Sequence, residues 1–190
     1  LNHHEQLLEQ ANNLTSHLIQ SNIKTVSTNE DISLESYDFM MQRLLQNADS
    51  MWGGFGGAPK FPQTFSLQAL LRNYFHTKDK KFLQQVELSM QKMIQGGIYD
   101  QIQGGFARYS TDGHWQVPHF EKMLYDNALL LGVLAELYQI TKNVLYLNVI
   151  EQTIGFLDAN LKDIKTGAYY SAMDADSEGV EGKYLSLIHI

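Results

Sequence analysis

Apolar residues recur at helical spacing along most of the chain, and the stripes predict six helices. Leu7, Leu8, Ala11, Leu14, Leu18 and Ile19 share one face of a first helix over about 5–20. Tyr37, Met40, Met41, Leu44 and Leu45 mark a second over about 33–47. Leu67, Leu70, Leu71, Tyr74 and Phe75 mark a third. Phe82, Val86, Met90, Met93 and Ile94 mark a fourth, entered at Asp79 and stopped at Gly96-Gly97. Pro118 suits a first helical turn, so a fifth helix is predicted from Pro118 to about Gln139. The sixth covers about 144–161. Short connections after the third and fifth imply antiparallel neighbours, giving three helical hairpins.

The later turns of the fifth helix, Leu129 to Ala135, are apolar all round, so they are expected to be buried on every side. Concentric inner and outer helices meet that demand better than a simple bundle. Between the hairpins a Gly-Gly-aromatic theme returns unevenly, at Gly53-Gly54-Phe55, Gly104-Gly105-Phe106 and, more loosely, Gly167-Ala168-Tyr169. Such spacing suits irregular hairpin repeats rather than a solenoid. The expected fold is all-α: an α/α toroid with its function-bearing loops at one end. One loop is expected to form a small β-hairpin, with runs 106–110 and 115–117 around an Asp112-Gly113 turn.

At 190 residues the chain suits one domain, and its 44% apolar content supports a sizeable core. The formal charge of −7 repels phosphate backbones and anionic lipid, so nucleic acid and membrane are poor partners. The absence of Cys excludes disulfides and thiol chemistry within the chain and suits a reducing, cytoplasmic setting. The chain lacks a signal-peptide pattern and does not begin with Met, and reads as a piece of a longer protein. Residues 185–190, Leu-Ser-Leu-Ile-His-Ile, match the translation of a transposon-end adaptor used in library preparation. They are expected to be a non-native tail, leaving 1–184 as the toroid segment.

The densest polar patch is Pro118-His119-Phe120-Glu121-Lys122-Met123-Leu124-Tyr125-Asp126-Asn127. On a helix His119 and Asp126 would lie about 20° apart with Lys122 to one side. Two readings follow: proton transfer by His119 with Glu121 or Asp126, or a hydrogen-bonded cap with a Lys122–Asp126 salt bridge. A second acidic run, Asp174-Ala175-Asp176-Ser177-Glu178-Gly179-Val180-Glu181, has the opening of a calcium loop but lacks its closing Glu. A solvated turn and a carboxylate pair facing a pocket are the other readings. Aromatic residues gather in the loops (Phe55, Phe61, Phe106, Tyr109, Trp115, Tyr125, Tyr169 and Tyr170). They suit stacking on a neutral polyol or plugging the toroid end. The seven His residues show no ligand spacing, and neither a metal nor a cofactor is expected.

Three strings resemble the signatures of one family. Gly53-Gly54-Phe55-Gly56-Gly57-Ala58-Pro59-Lys60-Phe61-Pro62 is similar to the first. Gly96 to Gln101, Gly105-Phe106, Arg108-Tyr109-Ser110, Trp115 and Val117 to Asn127 resemble the second. Asp174 to Gly179 with Glu181-Gly182-Lys183 resembles the third. The family is that of thioredoxin-domain-containing proteins related to spermatogenesis-associated protein twenty, called YyaL-like in bacteria. The likeness runs from about residue 50 to 184; residues 1–49 fit loosely as the run that follows a thioredoxin domain.

The resemblance implies a thioredoxin-like domain followed by a six-hairpin toroid like those of N-acylglucosamine 2-epimerases and certain glycosidases. This chain would be the N-terminal part of it, a partial (α/α)6 toroid. It implies a cavity at the N-terminal ends of the inner helices, where Pro118 to Asp126 would sit. His119, Glu121, Asp174 and Asp176 would be catalytic. Lys60, Phe61, Arg108, Tyr109, Trp115, Tyr125 and Asp126 would bind substrate. The implied partners are a small carbohydrate or polyol and the thioredoxin-like domain of the parent chain. The activity would be epimerase-, isomerase- or hydrolase-like acid–base chemistry; the alternative is a non-catalytic scaffold serving that domain. Many relatives carry His where this chain has Ala107, so an imidazole is dispensable there.

Overall fold

The computed structural model describes residues 2–22, 33–181 and 183; the expected adaptor tail lies outside the described residues. The chain forms two compact units, 1–37 and 38–190. In the first, α1 (Asn2–Asn22) exposes Leu7, Leu8, Leu14 and Ile19 of its predicted stripe. Helix α2 (Leu34–Gln46) crosses the boundary, and its Met41, Leu44 and Leu45 pack on the core of the second unit.

That core is built from two helical hairpins. Helix α3 (Thr64–Thr77) pairs with α4 (Lys80–Gln95), and α5 (Leu124–Thr141) with α6 (Val144–Phe156). Helix α6 continues into a π-helical stretch, Leu157–Leu161. Because α3 also packs on α5, each hairpin contributes one inner and one outer helix, the layering of an α/α toroid. Both hairpins turn alike, at Thr77-Lys78-Asp79 and Thr141-Lys142-Asn143. The Lys takes a left-handed conformation that closes the first helix, and the Asp or Asn side chain caps the second through the N–H two residues on. On α5 the buried stripe is Leu130, Val133, Leu134 and Leu137, continuing from Asn127. Leu129, Leu131, Gly132 and Ala135 are half-buried, which corrects the expected enclosure on every side.

The fifth helix begins later than predicted. Pro118–His119 form strand β2, antiparallel to β1 (Tyr109–Ser110). Lys122–Met123 form β3, antiparallel to β4 (Ala172–Met173). Between them the Glu121 carbonyl accepts from the Arg108 N–H at 2.8 Å. Pairing with two separate loops satisfies this segment's backbone groups and holds it extended until Leu124. The loop hairpin is also re-registered: Tyr109 faces His119, and residues 111–117 form the turn. There the Asp112 carboxylate gathers the N–H groups of His114, Gln116 and Val117, a seven-residue loop in place of a tight Asp-Gly turn. A tight turn occurs instead at Glu178-Gly179, both at positive φ, between β5 (Asp176–Ser177) and β6 (Val180–Glu181).

The Gly-aromatic loops share one architecture. In each, an Asp N–H donates to the carbonyl five residues on and its own carbonyl accepts from the Gly four residues on. This holds at Asp49, Asp100 and Asp163. Asp49 Oδ1 also accepts from the N–H groups of Met51 and Trp52, and Asp100 Oδ1 from those of Ile102 and Gln103. The other oxygen takes a buried ammonium: Lys60 Nζ to Asp49 Oδ2 at 2.6 Å, Lys122 Nζ to Asp100 Oδ2 at 2.8 Å. Each Lys lies over an aromatic ring as well, Lys60 over Trp115 and Lys122 over Phe156. Those rings press against Gly54 and Gly105, where an added Cβ would come 2.5 Å from a ring carbon. Gly105→Ala, which also forces Ala to φ +81°, is expected to destabilise the full-length gene product by about 2–4 kcal/mol in chemical denaturation. A loss under about 0.5 kcal/mol would show that Phe156 yields easily.

Candidate active site

Strand alternation sorts the 118–123 segment into two faces. Pro118, Phe120 and Lys122 line a cavity of about 320 Å³ together with Ile98, Tyr99 and Met173, among others. His119 and Glu121 stand outside that lining and meet a different set of groups. Arg108 Nη1 donates to Glu121 Oε2 at 2.9 Å, and His119 Nε2 lies 3.9 Å from the same oxygen. His119 Nδ1 is 2.5 Å from Glu181 Oε1, which arrives on β6. The imidazole stacks on Tyr109 with centroids 4.8 Å apart and planes 19° apart, and Tyr109 in turn meets Phe61 at 4.8 Å.

The first turn of α5 adds Tyr125 and Asp126. Burial pushes the Asp126 carboxyl up to about 6, against the lowering pull of Tyr125 and of the Arg108 guanidinium. Asp126 Oδ2 and Arg108 Nε are both buried without a hydrogen-bond partner. The cluster therefore holds an orphaned acceptor and an orphaned donor beside a stacked aromatic wall.

Seven of the expected site residues thus converge: Phe61, Arg108, Tyr109, His119, Glu121, Tyr125 and Asp126. They do so through strands and loops, so the expected single helical face is corrected. Lys122 points to the opposite side and pairs with Asp100, which removes the Lys122–Asp126 salt bridge. Glu121 precedes α5 and is held by Arg108. Lys60 and Trp115, expected to bind substrate, are fully buried and hold the loop framework. Asp174 Oδ1 accepts from the Asp176 N–H within its own exposed turn, and neither carboxylate is found against His119. Glu181 fills that place. It belongs to the same acidic run, and the cross-strand position facing Asp176 puts it there.

The loop aromatics divide between the two readings. Phe55, Phe106 and Trp115 are buried plugs, whereas Phe61 and Tyr125 expose 42% and 49% of their surface. Among the described residues no group of three or more His, Asp or Glu is placed to hold a metal ion. No described helix is long and apolar enough to cross a membrane.

Asp126 carries a stability signature. Its folded value lies above the unfolded carboxylate range, so the folded state binds more protons between about pH 4 and 6 and stability falls as pH rises through that window. Asp126→Asn removes this penalty. The variant is expected to melt higher than wild type above pH 6, the gain vanishing below about pH 4; a gain independent of pH would contradict the burial argument.

No protein-family model matches the sequence. Spermatogenesis-associated protein 20 of Rattus norvegicus is 40% identical over 145 residues, which cover 74% of this chain and 18% of the relative. The Homo sapiens protein of the same name is 39% identical over 146 residues, 75% of this chain and 18% of the relative. An uncharacterized Caenorhabditis elegans protein is 33% identical over 160 residues, 81% and 22% of the two chains. The chain thus spans about a fifth of the length of the curated relatives it matches.

Among solved structures, a cellobiose 2-epimerase from Spirochaeta thermophila aligns with TM-score 0.61 and 19% identity, covering 74% of this chain and 41% of that one. A family 76 α-mannanase from Bacteroides thetaiotaomicron gives 0.61 and 17%, covering 76% and 42%. A D-mannose isomerase gives 0.55 and 19%, covering 73% and 39%. These similarities establish the α/α toroid fold. No thioredoxin domain is present among the described residues. On sequence, the chain is homologous to a segment of spermatogenesis-associated protein 20.

Proposed function

We infer that the Arg108–His119–Asp126 face binds a small carbohydrate or related polyol and moves protons on it. The observation that carries this reading is the pair of buried, unpartnered atoms, Arg108 Nε and Asp126 Oδ2, beside the Phe61–Tyr109–His119 stack. A hydroxyl both donates and accepts, so a polyol matches a face that carries an unpaired donor and an unpaired acceptor, while the aromatic faces take the C–H side of a ring. An aprotic ligand leaves the carboxylate unpaired. Glu181 holds His119 through Nδ1, which leaves Nε2 as the atom that exchanges a proton with substrate. Asp126, titrating near 6, is tuned to act as acid or base close to neutral pH. Glu121 and Arg108 fix each other and orient the ligand.

The epimerases, isomerase and glycoside hydrolases that share the fold make sugar chemistry the favoured class, by analogy of fold. The test incubates the full-length gene product with a panel of mono- and disaccharides, reading product formation and melting temperature together. Product with at least one sugar is the expected result; neither product nor a melting shift with any sugar refutes the reading. A second reading, a non-catalytic scaffold serving an attached thioredoxin-like domain, is favoured by the mutual pairing of Arg108 with Glu121 and His119 with Glu181. It predicts melting shifts without product.

A further inference from the structure

We propose that the cavity behind the His119 strand is a separate binding site for a small, uncharged aromatic or alicyclic molecule. Its volume, about 320 Å³, lies within the size range of small-molecule sites. The chemistry of the wall selects the ligand. Ile98, Ala107, Pro118, Phe120 and Met173 supply hydrocarbon surface. The charged groups in the lining are already spent: Lys122 donates to Asp100 Oδ2 and to the Gly104 carbonyl, and Asp100 also accepts two backbone N–H groups. Gln101 donates to the Ile94 carbonyl at 2.6 Å. The Tyr99 hydroxyl donates to Gln152 at 2.6 Å. A charged or polyhydroxylated guest would find few free partners here and would lose its hydration, whereas an apolar ring loses nothing by entering.

The mouth points the same way. Ile102 lies in the lining yet exposes 71% of its surface, an apolar side chain placed to cover a guest. Ala107, 4% exposed, is the small residue that keeps the space open. The buried lysine is not a nucleophile in this site. Lys60 makes the same ion pair and ring contact in the preceding loop, away from this cavity, so the arrangement at Lys122 belongs to the framework. The site is also independent of the sugar-binding face, because alternation along 118–122 turns the two sets of side chains apart.

The probe is the uncharged fluorophore N-phenyl-1-naphthylamine, titrated into the full-length gene product. Saturable binding with a blue-shifted rise in emission is expected. Ala107→Leu fills the cavity and is expected to weaken binding by about tenfold or more at an equal or higher melting temperature. Ile102→Asp, at an exposed position, charges the mouth without touching the core and is expected to weaken it by a similar factor. His119→Ala is expected to leave probe affinity unchanged, so failure of this site and failure of the sugar reading are told apart. Non-saturable binding, or wild-type affinity in both Ala107→Leu and Ile102→Asp, overturns the proposal.

Discussion

Lys122→Met in the full-length gene product is expected to lower unfolding free energy by about 3–5 kcal/mol, the usual consequence of stranding one member of a buried ion pair. Asp100 would keep its charge at neutral pH but lose the ammonium 2.8 Å away. Asp100→Asn should be comparably damaging, because it leaves Lys122, 7% exposed, with an uncompensated charge against the Phe156 ring. The double variant is expected to recover part of the loss, since the lone charge is gone. Burial on its own would raise the Asp100 carboxyl; Lys122 and the N–H groups of Gln103 and Ile102 together hold it below the usual carboxylate range. Burial pulls the Lys122 ammonium down too, against the raising pull of the Asp100 carboxylate. The stabilisation from the depressed carboxyl is therefore full above about pH 4 and disappears as pH falls through the folded value. Single variants within about 0.5 kcal/mol of wild type, or a double variant equal to the sum of the singles, would show that the pair is not a unit.

These pairs mark the edge of what the sequence makes legible. The stripes on α3 and α4 are readable because a buried helix face repeats locally: Leu67, Leu70, Leu71, Phe82, Val86, Met90, Met93 and Ile94 are all buried. The Asp79 cap is equally local. Lys60 and Lys122 look like ordinary surface lysines in sequence, because their burial depends on carboxylates 11 and 22 residues earlier. One signal does stand in the sequence: Asp lies four residues before Gly in all three Gly-aromatic loops.

The start of α5 is illegible for a related reason. Pro118 is compatible with a helix or a strand end, and the choice between them was made by Ser110 and Met173, neither of them a sequence neighbour. The candidate site was legible as a set of residue types but not as a geometry. His119 and Glu121 are brought together by alternation along an extended strand, and Arg108 reaches Glu121 by pairing across the loop. Sequence does not single out Glu181 over Asp174 and Asp176, because only the β5–β6 register decides which carboxylate faces inward.

His119→Ala is expected to reduce turnover of a sugar found by the panel by about 10²–10⁴-fold in the full-length gene product, the span of a lost general acid or base. The fall should lie in kcat more than in KM, because stacking surface remains on Tyr109 and Phe61. The melting temperature should change little: the imidazole is partly exposed, and its partners are side chains at the rim rather than the core. Glu181→Gln offers the sharper discrimination. Glutamine keeps a carbonyl acceptor for the Nδ1 proton, so the ring stays oriented, but it no longer stabilises a protonated imidazole. The expected loss is smaller than that of His119→Ala, because the ring keeps its orientation and Nε2 stays free to exchange a proton. A purely architectural His119 would show the opposite pattern, a lower melting temperature with turnover intact in both variants, and that outcome removes proton transfer from this face.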